Sequence, residues 1–191
     1  MKTPSPPFRV LFSHEQIVRR SHELARAIQV ATAPEPPMLV AVIEGARPFA
    51  RLLQQAIPGN LPVHEVRASS YAGTTSTGQV TITVGQDLPV RGRHVLLLED
   101  IVDTGRTIAA LRQHFTKAGA RSVAVASLLS KPSRRVVAVA IEYLGFEIPD
   151  EFVIGCGMDL DGRFRELPDI VVYDAAVERA FGAGAGITSA S

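Results

Sequence analysis

Cysteine occurs only once in these 191 residues. The lone thiol, Cys156, excludes an internal disulfide and any cysteine-based zinc cluster, and it suits a reducing compartment. An excess of charge of either sign is missing too. The formal net charge is +1 at pH 7 and no run of Lys or Arg exceeds two residues, so the chain carries no electrostatic footprint for nucleic acid or an anionic membrane. Arg19-Arg20 and Arg134-Arg135 read as solvated faces. Long apolar runs are absent: no stretch of about 18 apolar residues occurs, and the opening M-K-T-P-S-P-P has no apolar segment, so neither a membrane span nor a secretory leader is expected. The expected location is the cytoplasm.

The chain is 46% hydrophobic and 20% charged, which suits one compact domain over residues 1–191. Its central stretch is His94 to Thr107, H-V-L-L-L-E-D-I-V-D-T-G-R-T. Val95 to Leu98 form an unbroken apolar run, the pattern of a parallel strand buried on both faces. Glu99 and Asp100 fall where that strand is expected to end. Asp103-Thr104-Gly105-Arg106-Thr107 then turns into a helix predicted over Thr107–Ala118, with Ile108, Leu111 and Phe115 at helical spacing.

Ligands of open α/β sheets bind beyond the carboxyl ends of strands, and free N–H groups at helix N-termini hold anions. The Thr-Gly-x-Thr loop is small enough to wrap a phosphate but lacks the lysine and length of a P-loop, which points to a monophosphate. Carboxylates at 99, 100 and 103 would repel that phosphate unless they face ribose hydroxyls, Mg²⁺ or a proton to be removed. A sugar phosphate meets both conditions. The plain alternative is an acidic strand end followed by a Thr-capped helix.

The other elements follow in order. Ser13-His14-Glu15-Gln16 has capping-box spacing, with a helix expected from Ser13 to Val30. Met38 to Ile43 is a second buried strand. Glu44-Gly45-Ala46-Arg47 follows it as another loop at the same sheet edge, leading to a helix over Phe49, Leu52 and Leu53. A strand from Val63 to Ala68 and a returning strand at Val80, Ile82 and Val84 flank a hydroxyl-rich stretch from Ser69 to Gly78, which is either a hairpin tip or a lid that closes over the site.

Gly119 ends the central helix, and Val123 to Leu129 is a further buried strand. Lys131 stands just past it; a lysine there is ordinarily solvated, yet at this edge it can donate to a substrate carbonyl. Arg134 to Ala140 is expected to be a connector and strand. Turns are expected at Gly145 and at Pro149-Asp150, a closing strand over Ile170–Tyr173, and a loose tail from Gly182.

E-D-I-V-D-T-G-R-T at residues 99–107 resembles the type I phosphoribosyltransferases, whose signature for 5-phosphoribosyl-1-pyrophosphate (PRPP) is an apolar strand, two acidic residues, two apolar residues and D-T-G-x-T. G-F-E-I-P-D-E-F-V-I-G-C-G-M-D at residues 145–159 is similar to the purine-salvage branch of that family, the hypoxanthine (guanine) phosphoribosyltransferases. The resemblance runs from about residue 8 to 179. It implies a twisted, mostly parallel α/β sheet flanked by helices, with a PRPP-binding core over about 38–130. A small hood is implied from about 8–37 and 131–179, with residues 182–191 as a flexible tail.

The resemblance also implies roles. Asp103, Thr104, Gly105, Arg106 and Thr107 cradle the 5-phosphate, Asp103 is the general base, and Glu99 and Asp100 hold the ribose directly or through Mg²⁺, with Asp159 on both the metal side and the purine side. Lys131, in Leu128-Leu129-Ser130-Lys131-Pro132, contacts the 6-oxo group of the purine, Phe152 stacks on the ring, and Val153 meets its edge through backbone atoms. Arg165 holds pyrophosphate, and Ser70-Tyr71 opens the flexible loop.

The chain departs from the pattern at one loop. The family usually has apolar-Lys-Gly-Gly, often with a cis peptide before the lysine, where this chain has Ile43-Glu44-Gly45-Ala46. Glu44 and Gly45 are carried over as pyrophosphate-binding by position only, because a carboxylate repels pyrophosphate unless it acts through its backbone, a metal or a water. Arg47 either supplies the missing charge or is an ordinary surface residue. The expected reaction is Mg²⁺-dependent transfer from PRPP to a 6-oxopurine by a homodimer or homotetramer. The alternatives are an enzyme preferring xanthine, or a PRPP-sensing regulator of the same fold.

Overall fold

The computed structural model describes residues 7–70, 80–84 and 88–185. Tyr71 and the rest of the hydroxyl-rich stretch to residue 79 lie outside the described residues, so the lid reading has no structural counterpart here. Strand β1 (Arg9–Phe12) leads to helix α1 (His14–Thr32), and β2 (Met38–Ile43) to α2 (Arg47–Ala56). β3 (Val63–Ser70) and β4 (Val80–Val84) precede β5 (His94–Val102), α3 (Arg106–Lys117) and β6 (Ser122–Ser130). A short 3₁₀ turn (Pro132–Arg134), β7 (Tyr143–Glu147), β8 (Val153–Ile154), β9 (Ile170–Val172) and α4 (Ala175–Ala185) complete the order.

Among the described residues the main sheet runs β4-β3-β2-β5-β6-β7. All its neighbours are parallel except β3 and β4. The apolar runs at 38–43 and 95–98 alternate between the faces. Leu39, Ala41, Leu96 and Leu98 pack with Ile17, Leu24 and Ile28 of α1 and Phe49 and Leu53 of α2. Met38, Val40, Val95 and Leu97 pack with Ile108, Leu111 and Phe115 of α3. Burying each such Leu or Phe contributes roughly 1.5–3 kcal/mol, which is why strands without a polar face settle between two helical layers. A smaller sheet, β1-β9-β8, joins the two ends of the chain over a cluster of Phe8, Ile154 and Val171.

The expected capping box is present: the Ser13 side chain accepts from the Gln16 backbone N–H, and the Gln16 side chain accepts from Ser13 N. Four expectations need correction. The central strand does not stop at Leu98; it continues to Val102, because a parallel strand keeps its ladder while its neighbour does, and Ile101 and Val102 still pair with Leu129 and Ser130. Residues 134–140 contain no strand, and the chain re-enters the sheet only at Tyr143. Gly145 is inside β7 and not at a turn; a β-carbon there would collide with the Leu128 carbonyl. Helix α4 runs to Ala185, past the expected start of the loose tail.

Candidate active site

Parallel register brings the chemistry-bearing residues to one sheet edge. Val102 of β5 pairs with Ser130 of β6, and the Lys131 N–H donates to the Val102 carbonyl at 3.0 Å. Asp103 and Lys131 therefore leave their strands side by side. A cleft of ≈ 530 Å³ opens there, lined by Asp100, Asp103, Lys131, Arg134, Asp150 and Phe152 among others.

The loop after β5 is shaped by Gly105, whose φ of 84° is the left-handed region that favours glycine. The segment behind it leaves no room for a side chain, since a β-carbon on Gly105 would strike the Val137 carbonyl. Val136 N and Val137 N both donate to Thr104 O at 3.0 Å, fixing the loop from outside. Helix α3 starts directly afterwards with no side-chain cap, unlike α1. Its first intrahelical bond is Ala109 N to Gly105 O at 3.0 Å, and Arg106 N lies 3.5 Å from Thr104 Oγ1; N–H groups in the first turn of a helix have no intrahelical acceptor and are the groups an anion can use.

Glu99 and Asp100 sit inside β5, ahead of its last two residues, and not beyond it. Glu99 is 8% exposed, and its Oε2 is buried with no hydrogen-bond partner. Burial, and then the neighbouring Asp100, hold the Glu99 carboxyl well above the ordinary range. Burial also raises Asp100, against the pull of its hydrogen bonds and of Arg165. The Asp100 carboxylate leans on Gly45, where a β-carbon would overlap it.

Among the described residues no three His, Cys, Asp or Glu gather into a metal cage. Asp159 is thus not clustered with Glu99 and Asp100. Its Oδ1 pairs with Arg165 Nη2 at 2.7 Å and its Oδ2 accepts from Gly162 N at 2.7 Å. Arg165 also donates to Gly157 O at 2.7 Å. The orphaned buried oxygen of Glu99 beside the Asp100 carboxylate gives a pair of hard oxygen donors that would fit a Mg²⁺ ion. Cys156 is buried, and its thiol is pushed up to about 12 by burial and by Asp100, which disfavours the reactive thiolate.

On the far side of the cleft Lys131 is 8% exposed, with Nζ 3.8 Å from Asp150 Oδ1. Phe152 is 51% exposed, and its ring meets Tyr173 edge-on at 5.9 Å. Val153, the first residue of β8, also lines the cleft.

Sequence reasoning missed two residues. Arg134 is exposed, as a solvated face would be, but it is paired: its Nε donates to Asp103 Oδ1 at 2.9 Å and its Nη1 lies 3.3 Å from Asp150 Oδ2, tying the two carboxylates together. Asp150 passes for a turn residue in sequence, and nothing local marks it as Arg134's partner. Arg135, unlike Arg134, turns inward, donating to Ser130 Oγ at 2.7 Å. Arg20 is also engaged, with Gly145 O at 3.0 Å and Leu144 O at 2.8 Å.

The Ile43–Glu44 peptide is cis. The Glu44 carboxylate is held between the guanidinium groups of Arg47 and Arg67, and Arg47 binds Glu65 as well, at 2.7 and 2.9 Å.

This sheet order, with its acidic strand end and open helix N-terminus, defines a phosphoribosyltransferase. The phosphoribosyl transferase domain model matches residues 10–161, and the chain belongs to that family. Its relatives within the family are hypoxanthine-guanine phosphoribosyltransferases. The one from Streptococcus thermophilus is 39% identical over 165 residues, covering 86% of this chain and 92% of the relative. The one from Lactococcus lactis is 37% identical over 170 residues, covering 88% and 92%. Among solved structures, a Bacillus anthracis hypoxanthine-guanine phosphoribosyltransferase with HEPES in its active site superposes with a TM-score of 0.82 at 36% identity, over 86% of this chain and 98% of that one. The Trypanosoma cruzi hypoxanthine phosphoribosyl transferase gives 0.83 at 31% identity, over 95% and 100%.

Proposed function

We infer that this chain transfers the 5-phosphoribosyl group of PRPP to N9 of hypoxanthine, and of guanine, releasing the nucleoside monophosphate and pyrophosphate. The observation that carries the reading is the convergence on one cleft of Asp100 of β5, Asp103 just past β5, Lys131 just past β6 and Phe152 before β8, with the start of α3, which has no side-chain cap, three residues beyond Asp103.

The N–H groups of residues 104–107 take the 5-phosphate, as a helix N-terminus favours. Glu99 and Asp100 hold the ribose hydroxyls and Mg²⁺, an ion that offsets charge on the departing pyrophosphate when bound. Arg165 steadies the same leaving group as the C1–O bond breaks, where developing charge meets a fixed donor. Phe152 stacks on the purine, Val153 meets its edge, and Lys131 donates to O6. Asp103 accepts the N7 proton as N9 bonds to C1. A lysine aimed at O6 favours a carbonyl over an amino group, so adenine is rejected.

Residues 1–191 act as a single domain, with the PRPP-binding core at about 38–130 and base recognition from the small sheet and its approach. The working form is a cytoplasmic homodimer or homotetramer, which light scattering of the purified chain reads directly. Mass spectrometry after incubation with PRPP, Mg²⁺ and hypoxanthine tests the reaction: the nucleoside monophosphate is expected, and recovery of unchanged hypoxanthine would refute the reading.

A further inference from the structure

Four side chains around the loop after β2 form a charge-balanced quartet. In the parallel register of β2 and β3, Arg67 is paired with Ile43 and Glu65 with Ala41. Arg67 therefore stands level with the start of the Glu44-Gly45 loop. Arg47 is the first residue of α2, one turn further on. The Glu44 carboxylate takes one guanidinium on each oxygen, Arg47 on Oε2 and Arg67 on Oε1. Glu65 ends the chain of pairs with a two-point pair to Arg47.

An ordinary surface network would explain the ion pairs but not their place. Two arginines directed at one point repel each other unless an anion lies between them. Here that anion is a side chain of the loop whose next residue, Gly45, touches the cleft residue Asp100. All four side chains are between a third and three-fifths exposed. Exposed pairs of this kind hold together weakly and are screened by salt, so a diphosphate with more charge and more acceptor oxygens can displace one carboxylate.

We propose that Arg47 and Arg67 form a polyanion site at the carboxyl ends of β2 and β3, and that the Glu44 carboxylate is its built-in occupant, displaced when a diphosphate group arrives. Glu44 is then neither a ligand of pyrophosphate nor a neutral replacement. It is an intramolecular competitor that weakens diphosphate binding and hastens its loss. The proposal rests on the phosphoribosyl-transfer reading for its ligand, a substrate or product bearing a diphosphate.

The test is calorimetric titration of the full chain with inorganic pyrophosphate in constant Mg²⁺, for the wild type, Glu44→Gln, Glu44→Ala, Arg67→Gln and the Glu44→Gln/Arg67→Gln pair. Removing the competitor should tighten binding about two- to fivefold in both Glu44 variants, in line with the worth of exposed ion pairs. The gain should shrink as salt rises. Arg67→Gln should weaken binding, and the double variant should lose the gain of Glu44→Gln. Binding no tighter in the folded Glu44 variants than in the wild type would overturn the proposal, as would a gain that survives the loss of Arg67. Turnover of PRPP with hypoxanthine is measured on the same wild-type sample: silence there would remove the proposed reaction, while the titration still decides the site.

Discussion

The Asp100 carboxylate lies against the α-carbon of Gly45, in space that any β-carbon on residue 45 would occupy. The same glycine packs its carbonyl where Gly157 also lacks a side chain. Three segments distant in sequence, the loop after β2, the end of β5 and the turn before Arg165, thus meet at one point.

Gly45→Ala pushes Asp100 off its position. Overpacking of this kind costs roughly 1–3 kcal/mol, and a displaced binding group lowers turnover further. A fall in kcat/KM of about tenfold or more is expected, with a melting temperature lower by several degrees. An alanine variant with wild-type kinetics would show that Asp100 needs no fixed place.

Glu99 makes the ligand-free protein sensitive to pH. Its carboxyl titrates higher when folded than when unfolded, because burial and Asp100 disfavour the charge. In that window the folded state holds a proton that the unfolded state releases, so stability is full below the ordinary carboxylate range and falls as pH rises through the elevated value. Glu99→Gln removes this dependence. Chemical denaturation at pH 5 and pH 8 should show a decline in the wild type that is smaller in Glu99→Gln, with the variant the more stable at pH 8; parallel curves would rule out the buried charge as the cause.

Asp103 is tied to Arg134 before any substrate arrives. Asp103→Asn keeps the shape of the side chain and removes its basicity. The expected loss is about 10²–10⁴-fold in kcat, with PRPP affinity changed far less. Equal losses in turnover and in PRPP binding would mean that Asp103 only shapes the loop.

Lys131→Met deletes the proposed O6 donor while keeping the length of the side chain. Turnover with hypoxanthine should fall by about tenfold or more, and the preference over adenine should narrow. An unchanged ratio would place base selection elsewhere in the cleft.

Much of this arrangement was legible because it is written locally. The apolar runs at 38–43 and 123–129 need both faces covered, and D-T-G-R-T carries its own turn and helix start. Glu99 and Asp100 misled the reading of the strand end, since charge inside a strand contradicts periodicity; only the register with β6 shows that the ladder continues to Val102. Gly145 was misplaced for a related reason, its need for glycine coming from the carbonyl of Leu128 on the neighbouring strand. Arg134 with Asp103, and Arg67 with Glu44, are separated by 31 and 23 residues. No local pattern links such pairs, and a lone arginine in sequence looks the same whether it is solvated or bridging.

Pyrophosphate release by the purified protein, given PRPP and Mg²⁺ with hypoxanthine, guanine, xanthine or adenine in parallel, tests the central claim most directly. Turnover is expected with hypoxanthine and guanine and not with adenine. No release with any base, in a sample that still binds PRPP, would contradict catalysis and leave a PRPP-binding protein without transfer.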